Sequence, residues 1–279
     1  MQSMILNSRS GVRLGLLLCL LLLSSQSRLT GQTNTDRWGL QVGWTASQLL
    51  DQHASPLLYQ AHTADIGLSY RHPSKVLLEV GLVLKIGTNQ AKDFGQRSSY
   101  IEDPADLFGN RSGYEAVVNP WLSMLNADLQ LKLLWPIGEH HHLGGVFHAR
   151  HFTTGMGATT TYYTQIDLAP AYQYAQPLGQ SSRLQIDARL PVAALVVRPS
   201  YSKDASLPDV LSYWWGYVQT NTRFSTFPTL FNPSARLGLY RQLPSGREIG
   251  LSYQAQWLQY PDPRPIRILD QQLALHYFF

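Results

Sequence analysis

The sequence predicts an all-β fold, a closed antiparallel barrel of about ten, or about twelve, membrane-spanning strands. Three observations lead to it: apolar residues recur at alternate positions, only 14% of the 279 residues are charged, and short connections alternate with long ones. A period of two is that of a β-strand, whose successive side chains point to opposite faces. The charge content is well below the roughly 25% of a soluble domain, which suits a barrel whose alternate residues meet lipid.

The alternation recurs in order along the chain, in segments that each have one apolar face and one polar or small face. In the first segment, tryptophan, leucine and valine alternate with glycine, glutamine and threonine. The segments are Trp38–Thr45, Thr63–Arg71, Val76–Lys85, Leu125–Leu133, Leu143–Arg150, Gln165–Gln173, Arg183–Leu190, Ala235–Tyr240 and Leu251–Trp257. With the last segment of the chain they make about ten strands, an even number as such barrels have.

The final segment, Arg267–Phe279, has an apolar face that ends in aromatic residues and an opposite face that is mostly polar or small. Its pattern resembles the closing strand of bacterial outer-membrane β-barrels, which typically ends in Phe with apolar residues two and four positions earlier. The resemblance extends over essentially the whole mature sequence. It implies that Leu275, Tyr277 and Phe279 form the signal that the barrel-assembly machinery reads, and that the barrel contacts outer-membrane lipid and lipopolysaccharide.

The connections between the segments alternate in length. Short turns with Pro or Gly fall at Arg71–Ser74, Pro136–Glu139, Gln176–Ser181 and Leu243–Gly246. Longer loops fall at Leu49–Leu57, Thr88–Asn119, His151–Thr161, Pro199–Phe231 and Tyr260–Pro265. Outer-membrane barrels have short periplasmic turns and long extracellular loops, so we expect both termini to lie in the periplasm.

A leader precedes the barrel segments. Met1–Ser27 has two arginines before the apolar run Leu14–Leu23, followed by small residues, as in a secretory signal peptide. We therefore expect residues 28–279 to form a single outer-membrane barrel domain. The only cysteine, Cys19, lies within the leader, so the mature chain would have neither disulfides nor thiol chemistry.

The inward phase of the predicted strands carries charges of both signs. The acids are Asp65, Glu79, Asp128, Asp167, Asp187 and Asp270. The bases are Arg71, Lys85, Lys132, Arg150, Arg183, Arg189 and Arg236. A barrel of about eight strands is just filled by its side chains. A slightly larger one with nearly balanced charges is predicted to be plugged by ion pairs, with a narrow path for a small solute as the alternative.

The loop Pro199–Phe231 contains a dense aromatic group, Tyr213, Trp214, Trp215 and Tyr217. Aromatic side chains at this position can lie at the lipid interface or fold over the barrel mouth. Exposed aromatics also stack on sugars and anchor protein partners. The group is therefore our candidate binding surface for a protein or a glycan.

The first long loop contains His53, Ser55 and Asp51, which suggests an enzyme as an alternative. Residues two apart on an extended chain share a face, so His53 could activate Ser55, with Asp51 as a third member. The pair resembles the His-any-Ser motif of outer-membrane phospholipases and lipid A deacylases. Those motifs continue with Asn after the Ser, whereas Pro56 follows here.

The sequence predicts neither a metal site nor a cofactor. Histidines gather at Glu139–His142, with His148 and His151 further on, and imidazoles suit Zn, Cu or Ni. Adjacent histidines in a tight turn point in different directions, and neither a cysteine nor a second cluster completes a ligand shell. The formal net charge of +4 includes two leader arginines and is too weak to predict a nucleic-acid partner.

The function predicted from these features is that of a non-enzymatic outer-membrane barrel with a charge-paired lumen. Its role would be structural or binding, through its loops or within a membrane complex. A narrow solute channel and an acyl hydrolase remain the alternatives.

Overall fold

The computed structural model describes residues 36–92, 95, 97–103, 112–118, 122–156, 159–198, 218 and 221–279. Within these ranges the chain is almost entirely antiparallel β-strand. The strands are β1 (Arg37–Asp51), β2 (Leu58–His72), β3 (Leu77–Ala91), β4 (Arg97–Glu102), β5 (Gly113–Val118), β6 (Leu122–Pro136), β7 (His141–Met156), β8 (Thr159–Leu178), β9 (Ser182–Arg189), β10 (Ala193–Val197), β11 (Thr222–Thr226), β12 (Ser234–Gln242), β13 (Glu248–Tyr260) and β14 (Ile266–Phe278). None of the described segments is a helix of the length and hydrophobicity needed to cross a bilayer.

Twelve of the described strands form one sheet in the order β11-β10-β8-β7-β6-β3-β2-β1-β14-β13-β12-β9, and β8 also pairs with β9. β9 and β10 lie end to end along β8, and β12 and β11 lie end to end along the other side of β9 and β10. Each of these two pairs is one interrupted strand of the wall, so the barrel has ten strands. The prediction of a closed antiparallel barrel of about ten strands is confirmed.

The final segment forms β14 and joins the two ends of the described barrel. β14 pairs with β13 on one side and with β1 on the other, the latter over thirteen cross-strand pairs. The Phe279 N–H donates to the Trp38 carbonyl at 2.9 Å, and the Trp38 N–H donates to the Phe279 carbonyl at 3.2 Å. The apolar alternation of the last residues therefore belongs to the strand that closes the barrel.

The two ends of the barrel differ in their connections. Short turns at 73–76, 137–140, 179–181 and 243–247 lie at one end, together with Asp36 and Phe279. We call this the turn end, and we call the opposite end the loop end. Gly179 and Gly246 have φ angles of 75° and 80°, a conformation that glycine adopts without strain, which explains their place in these turns.

Strand extends into three segments that the sequence predicted to be loops. β7 and β8 pair as far as Met156 and Thr159, so most of His151–Thr161 is strand. β4 and β5 form a separate hairpin within Thr88–Asn119, and β11 lies within Pro199–Phe231. Threonine, tyrosine and other strand-favouring residues occupy these stretches, but their apolar alternation is too weak to reveal them.

The outer face of the barrel is an apolar belt. Val42, Ile66, Ile86 and Leu168 are 63%, 60%, 61% and 56% exposed on it. Trp38 is half exposed near the turn end, where aromatic girdles lie at the membrane interface. Such a belt is stable where bilayer hydrocarbon covers it, and the alternation of the same strands turns polar side chains into the lumen.

Candidate functional site in the lumen

Apolar side chains close the lumen at the loop end. We call this buried cluster the apolar plug: Leu49, Tyr59, Ala61, Met124, Phe152, Tyr163, Ala194, Val196, Leu230, Leu258, Tyr260, Ile266 and Ile268. Phe152, Tyr163, Leu258 and Ile266 have 0% exposed surface. Close-packed apolar side chains leave no room for water, so these described residues separate the rest of the lumen from the loop end.

A layer of ion pairs crosses the lumen on the turn-end side of the plug. We call it the central layer: Lys85, Asp128, His148, Arg150, Asp167, Arg189 and Asp270. Arg150 Nη2 lies 2.6 Å from Asp270 Oδ2. The ring nitrogens of His148 lie 2.9 Å from Asp167 Oδ2 and 3.2 Å from Asp128 Oδ1. The imidazole thus lies between two carboxylates and links β6, β7 and β8 within the layer.

A second layer of ion pairs lies nearer the turn end. We call it the turn-side layer: Arg37, Arg71, Glu79, Lys132, Arg183, Asp187, Arg236 and Glu248. Lys132 Nζ bridges Glu79 and Asp187 at 3.3 and 3.1 Å, and Arg236 Nη2 bridges the same carboxylates at 3.5 and 2.9 Å. Glu248 pairs with the three other arginines of the layer. Each carboxylate thus has more than one cation, which offsets the cost of burying it.

Every residue predicted to be a lumen charge lies in the lumen, and all except Asp65 belong to one of the two layers. Asp65 has hydrogen bonds in place of an ion pair. It accepts from the hydroxyls of Thr45 and Thr63 at 2.5 and 2.8 Å and from Gln272 Nε2 at 2.7 Å. A carboxylate with three such donors is well satisfied without a cation.

Sequence reasoning missed the apolar plug and three members of the charged layers, Arg37, His148 and Glu248. Strand parity is the signal for the three charged residues. His148 has the same parity as Arg150 on β7, and Glu248 begins β13 on the inward side. Ile266 and Ile268 have the parity of Asp270 on β14, so the same face changes from apolar to charged along one strand.

Open spaces remain in the lumen beside the described residues. A cavity of about 80 Å³ lies beside the two layers and is lined by glutamines, serines and facing charges. It holds a few waters at most, at about 30 Å³ each. A wider space of about 760 Å³, which we call the vestibule, lies at the turn end beside Arg37, Arg71, Arg183, Glu248 and His142. Its volume is within the range of small-molecule sites.

The three residues of the hydrolase hypothesis lie at the loop end, where Asp51 ends β1 and His53 and Ser55 lie in the connection to β2. Burial is the main cause that lowers the pKa of His53, and the nearby Arg198 lowers it further. The Asp51 carboxylate pairs with Arg198 and accepts from the backbone N–H of His53 at 3.0 Å. Ser55 Oγ accepts from the Tyr59 hydroxyl at 3.2 Å. Asp51 thus ties this loop to Arg198, and the hydrolase role stays a prediction that loss of lipid cleavage in Ser55→Ala would support.

The other candidate residues divide into two groups. The aromatic group Tyr213, Trp214, Trp215 and Tyr217 and the leader Met1–Ser27 lie outside the described residues. The histidines considered as metal ligands separate: His148 lies in the lumen, His141 Nδ1 is 2.6 Å from the Tyr172 hydroxyl and His151 Nδ1 is 2.9 Å from Thr164 Oγ1. Within the described part of the chain, His, Cys, Asp and Glu form no group of three or more suited to a metal.

The predicted assembly residues lie on the outer face of the closing strand. Leu275 and Phe279 are 51% and 53% exposed. The Tyr277 hydroxyl accepts from Arg247 Nη1 at 2.8 Å, and its ring lies 6.1 Å from that of Phe279. All three are thus on the surface that another protein or lipid would meet.

The chain was compared with known proteins. No protein-family model and no curated protein matches the sequence. Similar solved structures include the outer-membrane protease OmpT from Escherichia coli (9% identity, 91% of this chain, 99% of that chain, TM-score 0.43) and an outer-membrane channel from Pseudomonas putida F1 (9%, 92%, 100%, 0.43). The β domain of the Bordetella autotransporter BrkA is another, with 11% identity over 88% of this chain and 99% of that chain and a TM-score of 0.40.

The closed ten-stranded barrel, its apolar belt and its filled lumen define a membrane-spanning β-barrel. The similar structures include a protease and a channel, and at these identities and TM-scores no role of theirs is carried over to this chain.

Proposed function

We propose that this outer-membrane barrel conducts no solute and acts as a structural or binding component, through its loops or within a membrane complex. The apolar plug is the observation that supports this most directly, because it lies across the lumen above two layers of paired charges. Breaking one buried pair to admit a solute would cost about 3–5 kcal/mol. The lumen then serves as a core that holds the wall in shape.

Conductance in planar bilayers tests this proposal. The folded barrel should give no single-channel currents, and its heat-modifiable mobility on a gel would show that it is folded. Steady currents from the wild-type protein would contradict the proposal and support a narrow channel instead.

We further propose that residues 1–27 are removed as a leader and that residues 28–279 form the barrel, with its turn end in the periplasm. The uniform short turns at that end support this orientation. Because Cys19 is the only cysteine, an introduced one would be the single thiol of the mature chain. A membrane-impermeant maleimide should label Gln52→Cys but not Ser245→Cys in intact cells. The reverse result would invert the orientation.

The loop aromatics Tyr213, Trp214, Trp215 and Tyr217 are proposed to bind a protein or glycan partner at the cell surface. Replacing Trp214 and Trp215 by Ala should abolish capture of that partner from native outer membranes, because aromatic anchors each contribute about 2 kcal/mol or more. Trp135→Ala, on the outer face near the turn end, is the matched control. Capture that survives the double change would remove the aromatic group from the proposal.

The closing strand is proposed to carry the signal read by the barrel-assembly machinery. Tyr277→Asp should block insertion, because a carboxylate on the lipid face is unfavourable and the aromatic signal is lost. Tyr277→Phe keeps the aromatic ring and should insert normally. Equal amounts of heat-modifiable barrel from both variants would argue against a role for this position.

A further inference from the structure

The barrel wall has a gap between its two interrupted strands. The ladder between β9 and β12 ends at the pair Arg189–Ser234, and pairing resumes where the Phe227 N–H donates to the Val192 carbonyl at 3.3 Å. Residues 190–191 and 228–233 lie between these points. We call these two segments the seam.

Prolines surround the seam and explain why the ladder stops there. Pro170, Pro191 and Pro233 each lack the N–H that a strand uses to bond its neighbour. The outer sides of the seam stay attached: the Leu190 N–H donates to the Pro170 carbonyl at 3.3 Å, and the Trp257 N–H donates to the Pro233 carbonyl at 3.0 Å. The gap therefore lies between two segments that each keep a backbone hydrogen bond on their outer side.

An apolar groove of about 520 Å³ covers the seam on the lipid-facing side. Three alanines from neighbouring barrel strands lie in register at its floor, since Ala188 pairs with Ala235 and Ala235 pairs with Ala255. Tyr172 and Trp257 rise at its sides. The small alanines beside the large Tyr172 and Trp257 side chains leave this groove on the outer face of the barrel.

Arg189 connects the groove to the lumen. It lines the groove, the cavity of about 80 Å³, and a small cavity of about 30 Å³ between them. Its side chain is only 8% exposed, and its Nε donates to Ser234 Oγ at 2.9 Å. Its Nη1 lies 3.7 Å from Asp167 Oδ1 and has no hydrogen-bond partner among the described residues. Asp167 Oδ2 lies 2.9 Å from His148 Nδ1 and accepts from Gln165 Nε2 at 2.6 Å, while its Oδ1 has no hydrogen-bond partner among the described residues.

We propose that the seam binds a long-chain alkyl carboxylate, such as a free fatty acid, that enters sideways from the bilayer. The alkyl chain lies over the alanines, and the carboxylate accepts hydrogen bonds from Arg189 Nη1 and from the Ser234 hydroxyl. The groove's apolar lining and its place in the lipid-facing wall select the chain, and a buried guanidinium with a spare donor selects the anion. A volume of about 520 Å³ suits one small ligand better than a two-chain lipid.

The test uses the full barrel in nanodiscs and a palmitate probe that carries a diazirine on its chain. Light should cross-link the probe to β9, β12 or β13, and unlabelled palmitate should compete where hexadecanol does not. Ala188→Trp fills the groove and leaves Arg189 unchanged. Labelling of this variant by the probe should fall about tenfold, equivalent to about 1.4 kcal/mol. Ala149→Trp, an outward alanine between Leu129 and Ile166, is the matched control and should label like the wild type.

Arg189→Gln separates the two parts of the proposal. It should remove the preference for palmitate over hexadecanol and keep labelling of the groove by the alkyl chain. Equal labelling of Ala188→Trp and Ala149→Trp would mean ordinary contact with bulk lipid and would overturn the site. Stronger competition by a two-chain phospholipid than by palmitate would also overturn it. Because the site lies on the outer face, its failure would leave the non-conducting lumen untouched.

Discussion

The loop-end and turn-end halves of the lumen are built from the same strands, but different interactions stabilise them. In the apolar plug, thirteen buried side chains pack without direction. In the central and turn-side layers, every contact depends on distance and on the sign of a charge. On β14 the change occurs within three positions of one face, from Ile266 and Ile268 to Asp270. The interior of this barrel thus combines an apolar core with a charged one. We expect substitutions in the two parts to destabilise the barrel by different mechanisms.

The largest effect is expected in the central layer. Arg150 has a fully buried side chain whose Nη2 lies 2.6 Å from Asp270, and Arg150→Met would leave that carboxylate buried without its cation. We expect a loss of about 3–5 kcal/mol of unfolding free energy. Urea titration in lipid vesicles would measure it.

The double variant Arg150→Met with Asp270→Leu sharpens this prediction. Replacing both members of a buried pair by apolar residues is often neutral, so most of the lost stability should return. A double variant as unstable as the single one would show that the pair is not what Arg150 contributes.

A substitution in the apolar plug should lower the free energy of unfolding by less, and by a different mechanism. Phe152→Ala leaves a cavity among apolar neighbours, with an expected cost of about 3 kcal/mol. Phe147→Ala on the same strand is the matched control, because Phe147 is 39% exposed on the outer face, where lipid can fill the space. Raised salt should leave the Phe152→Ala effect unchanged. Equal losses in the two variants would contradict a packed plug.

A smaller effect on stability is expected at the ion pair between Asp51 and Arg198, which lies at the same end of the barrel as the apolar plug. Both side chains are buried at the loop end, so Asp51→Asn should cost about 1–3 kcal/mol and expose the 52–57 connection to proteases. Asp262→Asn is the matched control, since its pair with Arg223 is exposed and such pairs contribute little. Protease resistance equal to the wild type in Asp51→Asn would mean that this pair does not hold the loop.

Strand parity explains why the barrel and the lumen charges could be predicted from the sequence. Where one face meets lipid and the other meets charge, as at Leu129 and Lys132 on β6, the alternation is unambiguous. Near the loop end both phases are apolar, as at Leu49 and Leu50, so parity no longer distinguishes plug from lipid belt. The period alone therefore could not reveal the plug.

The ion pairs that cross the lumen could not be predicted from the sequence, for another reason. Arg150 and Asp270 are 120 residues apart, and they meet only because the closed wall places β7 and β14 on facing sides. The seam depends in the same way on register. Pro191 and Pro233 are visible in the sequence, but their alignment across two interrupted strands follows from the ladder between β9 and β12.

The smallest effect is expected outside the membrane, at the turn end, where an exposed pair offers a contrast with the buried layers. A hydrogen bond from His72, and next one from Tyr70, lowers the pKa of Asp36. A carboxyl whose pKa is lower in the folded state stabilises the fold at neutral pH, and that contribution is lost as the pH falls through the folded pKa. Carbon NMR of the carboxyl should show the lowered pKa, and His72→Ala should move it back towards its ordinary value. Because the pair is exposed, high salt should weaken it while leaving the Arg150–Asp270 pair intact. An equal response of both pairs to salt would erase the distinction between the surface of the turn end and the interior of the barrel.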